Sequence, residues 1–222
     1  MGHAGTTDAV IDRAPGAEVP RWLRPLVIVL AVAVIALGGA AALLTFQKAQ
    51  SIDPVRAAIV RSEQRVAASP DDSGAQRSLA LAYQQAGRYD DAVAAYQAAL
   101  ALAPDDLGAR YNLGVVQIAA GNADEGEQAL RSLLADVPDH VLAAKTLGER
   151  LLDREEYEEA LGVLEPASAS RPELADLQYD VGLALEWLGR NGEAIERYRA
   201  ALRFAPDLQA ARDGLTRLGV AP

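Results

Sequence analysis

The sequence predicts an all-α protein: a solenoid of helix–turn–helix units behind one N-terminal transmembrane helix. Three observations carry this. Pro70, Pro104, Pro138, Pro172 and Pro206 stand 34 residues apart without an insertion or deletion, and a period of that length marks stacked helix pairs. Between the prolines, small and large apolar residues recur in fixed columns. Ahead of them, Leu26 to Phe46 is a run of 21 residues without a charge, in which only Thr45 is clearly polar.

Residues 1–24 read as a tail whose first 20 residues are rich in Gly, Ala, Pro and Thr, a composition expected to be disordered. Residues 25–47 read as the membrane helix. Its uncharged run would extend roughly 31 Å as an α-helix, close to a bilayer core of ~30 Å. Arg21, Arg24 and Lys48 flank it, and Trp22 sits at interfacial depth. A cleaved signal peptide would carry a shorter apolar region nearer its start. Here 25 residues come first, and cutting near Gly39–Ala40 would leave the apolar end Leu43–Phe46. Positive charges nearly balance across the span. The two arginines closest to it, and insertion as a signal anchor, favour a cytoplasmic N-terminus in the inner membrane with the repeats outside the cytoplasm. Ala36 with Ala40, and Gly38 with Ala42, would allow dimerisation through the span, although an alanine-rich chain produces such spacing by itself.

Residues 48–72 hold a linker and a shielding helix near 54–68, with Asp53 as its cap, Pro54 in its first turn and Ala58 in a small-residue column. Four units follow, at 73–106, 107–140, 141–174 and 175–208. Their first helices are expected near 73–86, 107–120, 141–153 and 175–188. Their second helices are expected near 90–103, 124–136, 157–169 and 191–204. Large apolar residues fill the seventh column (Leu79, Leu113, Leu147, Val181). The twenty-fourth column reads Tyr96, Leu130, Leu164, Tyr198. Small residues fill the eighth (Ala80, Gly114, Gly148, Gly182) and twentieth (Ala92, Gly126, Ala160, Ala194). Small residues let paired helices approach, and large ones at helical spacing fill the space between neighbours.

Gly87, Gly121 and Gly189 fall in the turn within a unit, where a left-handed backbone suits glycine. Glu155 holds that place in the third unit, so its turn is expected to differ. Each periodic proline ends a second helix. Asp71, Asp105, Asp139 and Asp207 follow four of them and are expected to cap the next helix. Pro166 falls inside a second helix and is expected to kink or shorten it. Polar Gln117 in the eleventh column, and Gln76, Arg110, Ala144 and Gln178 in the fourth, are expected to loosen packing locally. A last helix near 207–218 carries Leu208, Ala211, Leu215 and Leu218 on one stripe and closes the array within residues 207–222.

These columns resemble the tetratricopeptide repeat (TPR) family over Ser73 to Pro206. The resemblance implies a right-handed TPR solenoid that binds protein or peptide partners in a groove lined by its first helices. Carried onto this sequence, the groove columns hold Arg77 and Leu81 in the first unit and Tyr111, Asn112, Val115 and Ile118 in the second. Lys145 stands in the third, and Tyr179, Leu183 and Trp187 in the fourth. Some members grip a C-terminal carboxylate with basic and asparagine groove residues. Arg77 and Asn112 match two of those places, but Leu81, Leu142 and Thr146 break the others.

Composition narrows the function further. The net charge of −10 lies after the span, with 18 basic against 28 acidic residues from Gln47 onward. Nucleic-acid phosphates and an anionic bilayer surface would both be repelled. The chain has no cysteine, and its two histidines, His3 and His140, lack ligand-spaced partners. The run Asp153, Arg154, Glu155, Glu156, Glu158, Glu159 reads as a solvated helix start rather than a paired-carboxylate site. No phosphate loop, nucleophile elbow or metalloprotease motif occurs. The expectation is a non-enzyme without cofactor or metal: a membrane-anchored scaffold or assembly factor resembling bacterial single-span TPR proteins that serve envelope complexes, cytochrome c maturation among them. A cytoplasm-facing adaptor of reverse topology and a subunit of a larger membrane complex are the alternatives.

Overall fold

The computed structural model describes residues 54–221, and the tail and the apolar run predicted to span the membrane lie outside them. Among the described residues ten α-helices follow one another. A half-unit, α1 (Pro54–Ala68), comes first. Four pairs follow: α2 (Ser73–Gln85) with α3 (Tyr89–Leu102), α4 (Leu107–Ala119) with α5 (Ala123–Asp136), α6 (Val141–Asp153) with α7 (Tyr157–Ser170), and α8 (Ala175–Trp187) with α9 (Asn191–Phe204). The last helix is α10 (Gln209–Arg217). Every first helix starts in the first column of its unit and every second helix in the seventeenth, so the 34-residue sequence period is also the structural one. Among the described residues no helix is long and apolar enough to cross a membrane.

The core lies where each second helix packs between its own first helix and the next. Column eight faces column twenty-four, and the fit is tight. A Cβ on Gly148 would stand 2.5 Å from Cδ2 of Leu164, and one on Gly182 would stand 2.8 Å from the Tyr198 ring. Gly126 permits the closest backbone approach, with its missing Cβ 2.5 Å from the Gly114 carbonyl oxygen. Tyr198 is fully buried and is clasped on its other side by Gly214 of α10. Buried tyrosines need an oxygen partner, and the array supplies one from column twelve. The Tyr96 hydroxyl donates to Gln84 at 2.9 Å and the Tyr198 hydroxyl to Glu186. Where column twenty-four is Leu130 or Leu164, column twelve is Ile118 or Leu152.

Four expectations are corrected. The caps fall one residue later than Asp71, Asp105 and Asp139. Asp72 accepts from the Gly74 and Ala75 amides, Asp106 from Ala109, and His140 Nδ1 from Ala143. The helices begin in column one, so the residue just before it is the one whose side chain reaches back to the free amides. Asp139 accepts instead from the Ser170 hydroxyl at 3.0 Å, and the residue before α10 is Leu208, which makes no side-chain cap. The third turn does not differ: Glu155 adopts φ 63°, beside 70°, 93° and 74° at Gly87, Gly121 and Gly189. Packing of the flanking helices fixes the turn, and Glu155 bears the left-handed strain. Pro166 does not end its helix, since α7 runs to Ser170 like its counterparts. The carbonyl deprived of a donor belongs to Gly162, which is exposed and open to water, while Leu164 and Ala167 on the buried face hold the helix in place.

The fourth column is not loose either. Arg110 donates to the Ser132 carbonyl and pairs with Asp136 at 2.7 Å. Buried Gln178 donates to the Ser168 and Pro172 carbonyls and accepts from Arg197. Gln117 has its Oε1 buried without a hydrogen-bond partner.

Three stability outcomes are expected in urea denaturation. Gly148→Ala should cost about 1–3 kcal/mol through the clash with Leu164, whereas Gly192→Ala, with nothing near its Cβ, should stabilise by up to ~1 kcal/mol. Glu155→Gly should stabilise by about 0.5–1 kcal/mol, the relief of a left-handed non-glycine less the added freedom of the unfolded chain.

Candidate functional site

First helices touch their counterparts one unit on: α4 with α6, α6 with α8, and α8 with α10. This row forms the inner face of the stack, and the side chains of the groove columns lie along it. Many of them are bridges between units. Arg77 on α2 pairs with Asp106, the cap of α4. The hydroxyls of Tyr111 on α4 and Thr146 on α6 are 3.3 Å apart, and the Tyr111 ring lies 5.8 Å from that of His140. Lys145 on α6 pairs with Glu149 at 2.9 Å and reaches Asp180 on α8 at 3.5 Å. Glu186 on α8 accepts two hydrogen bonds from Arg217 on α10, at 2.9 and 2.8 Å.

The predicted groove residues therefore divide. Tyr111 and Ile118 are half-buried against the larger core cluster, and Tyr179 packs there 5.8 Å from the Tyr198 ring. Arg77 and Lys145 already hold carboxylates. Leu81 is exposed, and Asn112, Val115 and Leu183 are half-buried. Leu142, which breaks the carboxylate-clamp pattern, is 55% exposed on the same row. Trp187 is 61% exposed. It stacks on Tyr157 of the preceding unit, with centroids 5.8 Å apart and planes within 10°.

Two carboxylates in and beside this face have displaced pKa values, in opposite directions. Asp180 is buried, and that burial pushes its pKa up to about 6 from 3.8. Lys145 offsets this only in part, because it sits 3.5 Å away and is shared with Glu149. Lys145 has a raised pKa of its own: burial opposes its charge, but Glu149 and Asp180 outweigh that effect. Glu127 on α5 is also buried, yet it is held down to about 2 by Arg154 and Arg150, the burial cost notwithstanding. Arg150 donates to it at 2.8 Å and Arg154 at 2.6 and 3.0 Å. This cluster joins α5 to α6. Sequence reading missed it and placed Arg154, Glu156 and Glu159 on a solvated face. They are exposed, but Glu156 pairs with Arg154 and Glu159 with Arg131. A signal was present: Arg150 and Arg154 are one helical turn apart at the end of α6.

The helix pairs, their close-packed columns and the inner row agree with comparison to known proteins. Two tetratricopeptide-repeat family models match, over residues 83–149 and 145–208. The array is a TPR solenoid. Among solved structures, MamA superposes with a TM-score of 0.59 at 22% identity, covering 67% of this chain and 86% of that one. MamA from Desulfovibrio magneticus RS-1 gives 0.54 at 21% identity, over 66% of this chain and 93% of that one. YrrB, described as a TPR protein with an unusual peptide-binding site, gives 0.58 at 18% identity, over 79% and 88%. At these identities the likeness is one of fold. No curated protein matches the chain.

The two carboxylates give the TPR array a two-sided pH response. Asp180 favours its protonated form when folded, so its contribution is fully present below pH 3.8 and is lost as pH rises through about 6. The loss should be no more than about 3 kcal/mol. Glu127 favours its ionised form, so its contribution is present above pH 4.5 and is lost as pH falls toward 2. Denaturation midpoints measured from pH 3 to 8 should lose the upper slope in Asp180→Asn and the lower slope in Glu127→Gln. The second variant should also cost about 2 kcal/mol at pH 7, by leaving Arg150 without its carboxylate and Arg154 with Glu156 alone.

Proposed function

We propose that this protein is a non-catalytic scaffold, tethered to a membrane through Leu26 to Phe46, whose first-helix face holds an apolar segment of a protein partner. The observation that carries this is the set Leu81, Val115, Leu142 and Leu183. They are exposed or half-buried on the inner row, between polar bridges that keep successive first helices in register. An apolar strip along consecutive first helices suits an extended or helical segment with anchors at intervals. TPR proteins bind protein or peptide partners, and YrrB, one of the similar folds, is itself described as having a peptide-binding site. Tethering is supported by the uncharged 21-residue run and its flanking charges. One span followed by repeats is also the arrangement of bacterial TPR proteins that assist envelope complexes. In that setting the protein would present or hold a client, and a role in cytochrome c maturation would act through a protein partner.

Partner capture tests the groove. Leu81→Ser, Leu142→Ser and Leu183→Ser together should weaken it at least tenfold while helical content measured by circular dichroism stays unchanged. Undiminished capture would refute the groove. Topology is tested at Asn122, an exposed turn position, by making Asn122→Cys in a chain without native cysteine. An impermeant maleimide added after opening any outer membrane should label it. Protection until the inner membrane is lysed would instead establish the reverse topology and an adaptor facing the cytoplasm.

A further inference from the structure

Trp187 is 61% exposed, the largest value among the large apolar side chains of the described residues. Its ring is not loose, since it lies parallel to that of Tyr157 across the boundary between the third and fourth units. The offset stack engages one side of the indole, and with 61% of the residue exposed much of the rest meets water. Such a platform at a rim is what partner recognition uses, because aromatic rings supply contact area at little entropic cost.

A second, independent feature stands beside it. Glu155 occupies a left-handed position, φ 63°, that is glycine in the other three turns. A non-glycine residue there costs roughly 1–2 kcal/mol, and strain of this kind is commonly retained at binding sites. The strained residue puts a carboxylate two positions from Tyr157, close enough that its charge, after burial, raises the phenol pKa. Neither Glu155 nor Glu158 forms an ion pair among the described residues. The neighbouring cations are committed elsewhere: Arg154 to Glu127 and Glu156, and Arg190 to Glu193 at 2.6 Å. The platform therefore carries negative charge that the protein does not neutralise.

We propose that Trp187, Tyr157 and Glu155 form a docking site for an arginine side chain on a basic partner segment, its guanidinium stacked on the exposed indole face and paired with the Glu155 carboxylate. Arginine fits better than lysine, because a planar guanidinium stacks on an aromatic face while its edge N–H groups donate to a carboxylate. The wider surroundings agree in sign. The chain from Gln47 onward has ten more acidic than basic residues. This inference rests on the scaffold reading and names the chemistry of its partner.

The test uses the full chain in non-ionic detergent, with Trp22→Phe leaving Trp187 as the single tryptophan. Tetra-arginine, tetra-lysine and tetra-glutamate are titrated while Trp187 fluorescence is followed. A saturable, salt-sensitive response to tetra-arginine, weaker for tetra-lysine and absent for tetra-glutamate, is the expected result. Glu155→Gly should weaken the tetra-arginine response at least fivefold. That variant keeps the turn, because glycine occupies the same place in the three sister turns. A non-saturable response, or one equal in Glu155→Gly, overturns the proposal. The serine variants at Leu81 and Leu142 should leave this titration unchanged, so failure of the groove and failure of this site are read separately.

Discussion

Close approach between column eight of each first helix and column twenty-four of the following second helix sets the geometry of the whole array. Where column eight is glycine there is no room for a methyl group: 2.5 Å at Gly148 and 2.8 Å at Gly182. That contact fixes how far apart two helices sit. The repeat of it every 34 residues fixes where the next pair begins. The turn within each unit then has no freedom of its own, which is why Glu155 is driven into the same left-handed conformation as three glycines. The same constraint explains the tolerance of Pro166. A helix held on its buried face by Leu164 and Ala167 survives the loss of one bond on its wet face.

The repeat was legible because packing at this contact selects residue size, and size is visible in sequence. Helix positions followed to within a residue or two. What failed were details that depend on one residue of register. The cap moved from Asp71 and Asp105 to Asp72 and Asp106 because an N-cap is defined by where the helix starts. The tyrosine rule was present but unread. Tyr96 and Tyr198 each have a hydrogen-bonding residue in column twelve, and Leu130 and Leu164 do not. Contacts between units were the least legible. The Glu127–Arg150–Arg154 cluster and the Trp187–Tyr157 stack join columns whose proximity depends on how neighbouring units stack, which a column alignment within one unit does not encode.

The inner face serves two demands at once. Each first helix must be joined to the next, and the joints are polar: Arg77 to Asp106, Lys145 to Asp180, Arg217 to Glu186. Residues spent on joints are not free to grip a partner. Five of the ten groove positions drawn from family columns, Arg77, Tyr111, Ile118, Lys145 and Tyr179, are engaged in this way or in the core. On the proposed reading, the apolar residues left between the joints are what a partner segment would meet. Paired ions contribute little net energy at a surface, but they do set register. A binding strip interrupted by fixed polar joints would select a partner by the spacing of its anchors.

Site-specific photo-crosslinking in intact cells tests this account most directly. A photoreactive residue is placed at Val115 on the inner face in one strain, and at Gly162, on the exposed face of a second helix, in another. The account predicts a discrete protein adduct from position 115 that is absent from position 162. Equal adducts from both positions, or adducts only from 162, would contradict it.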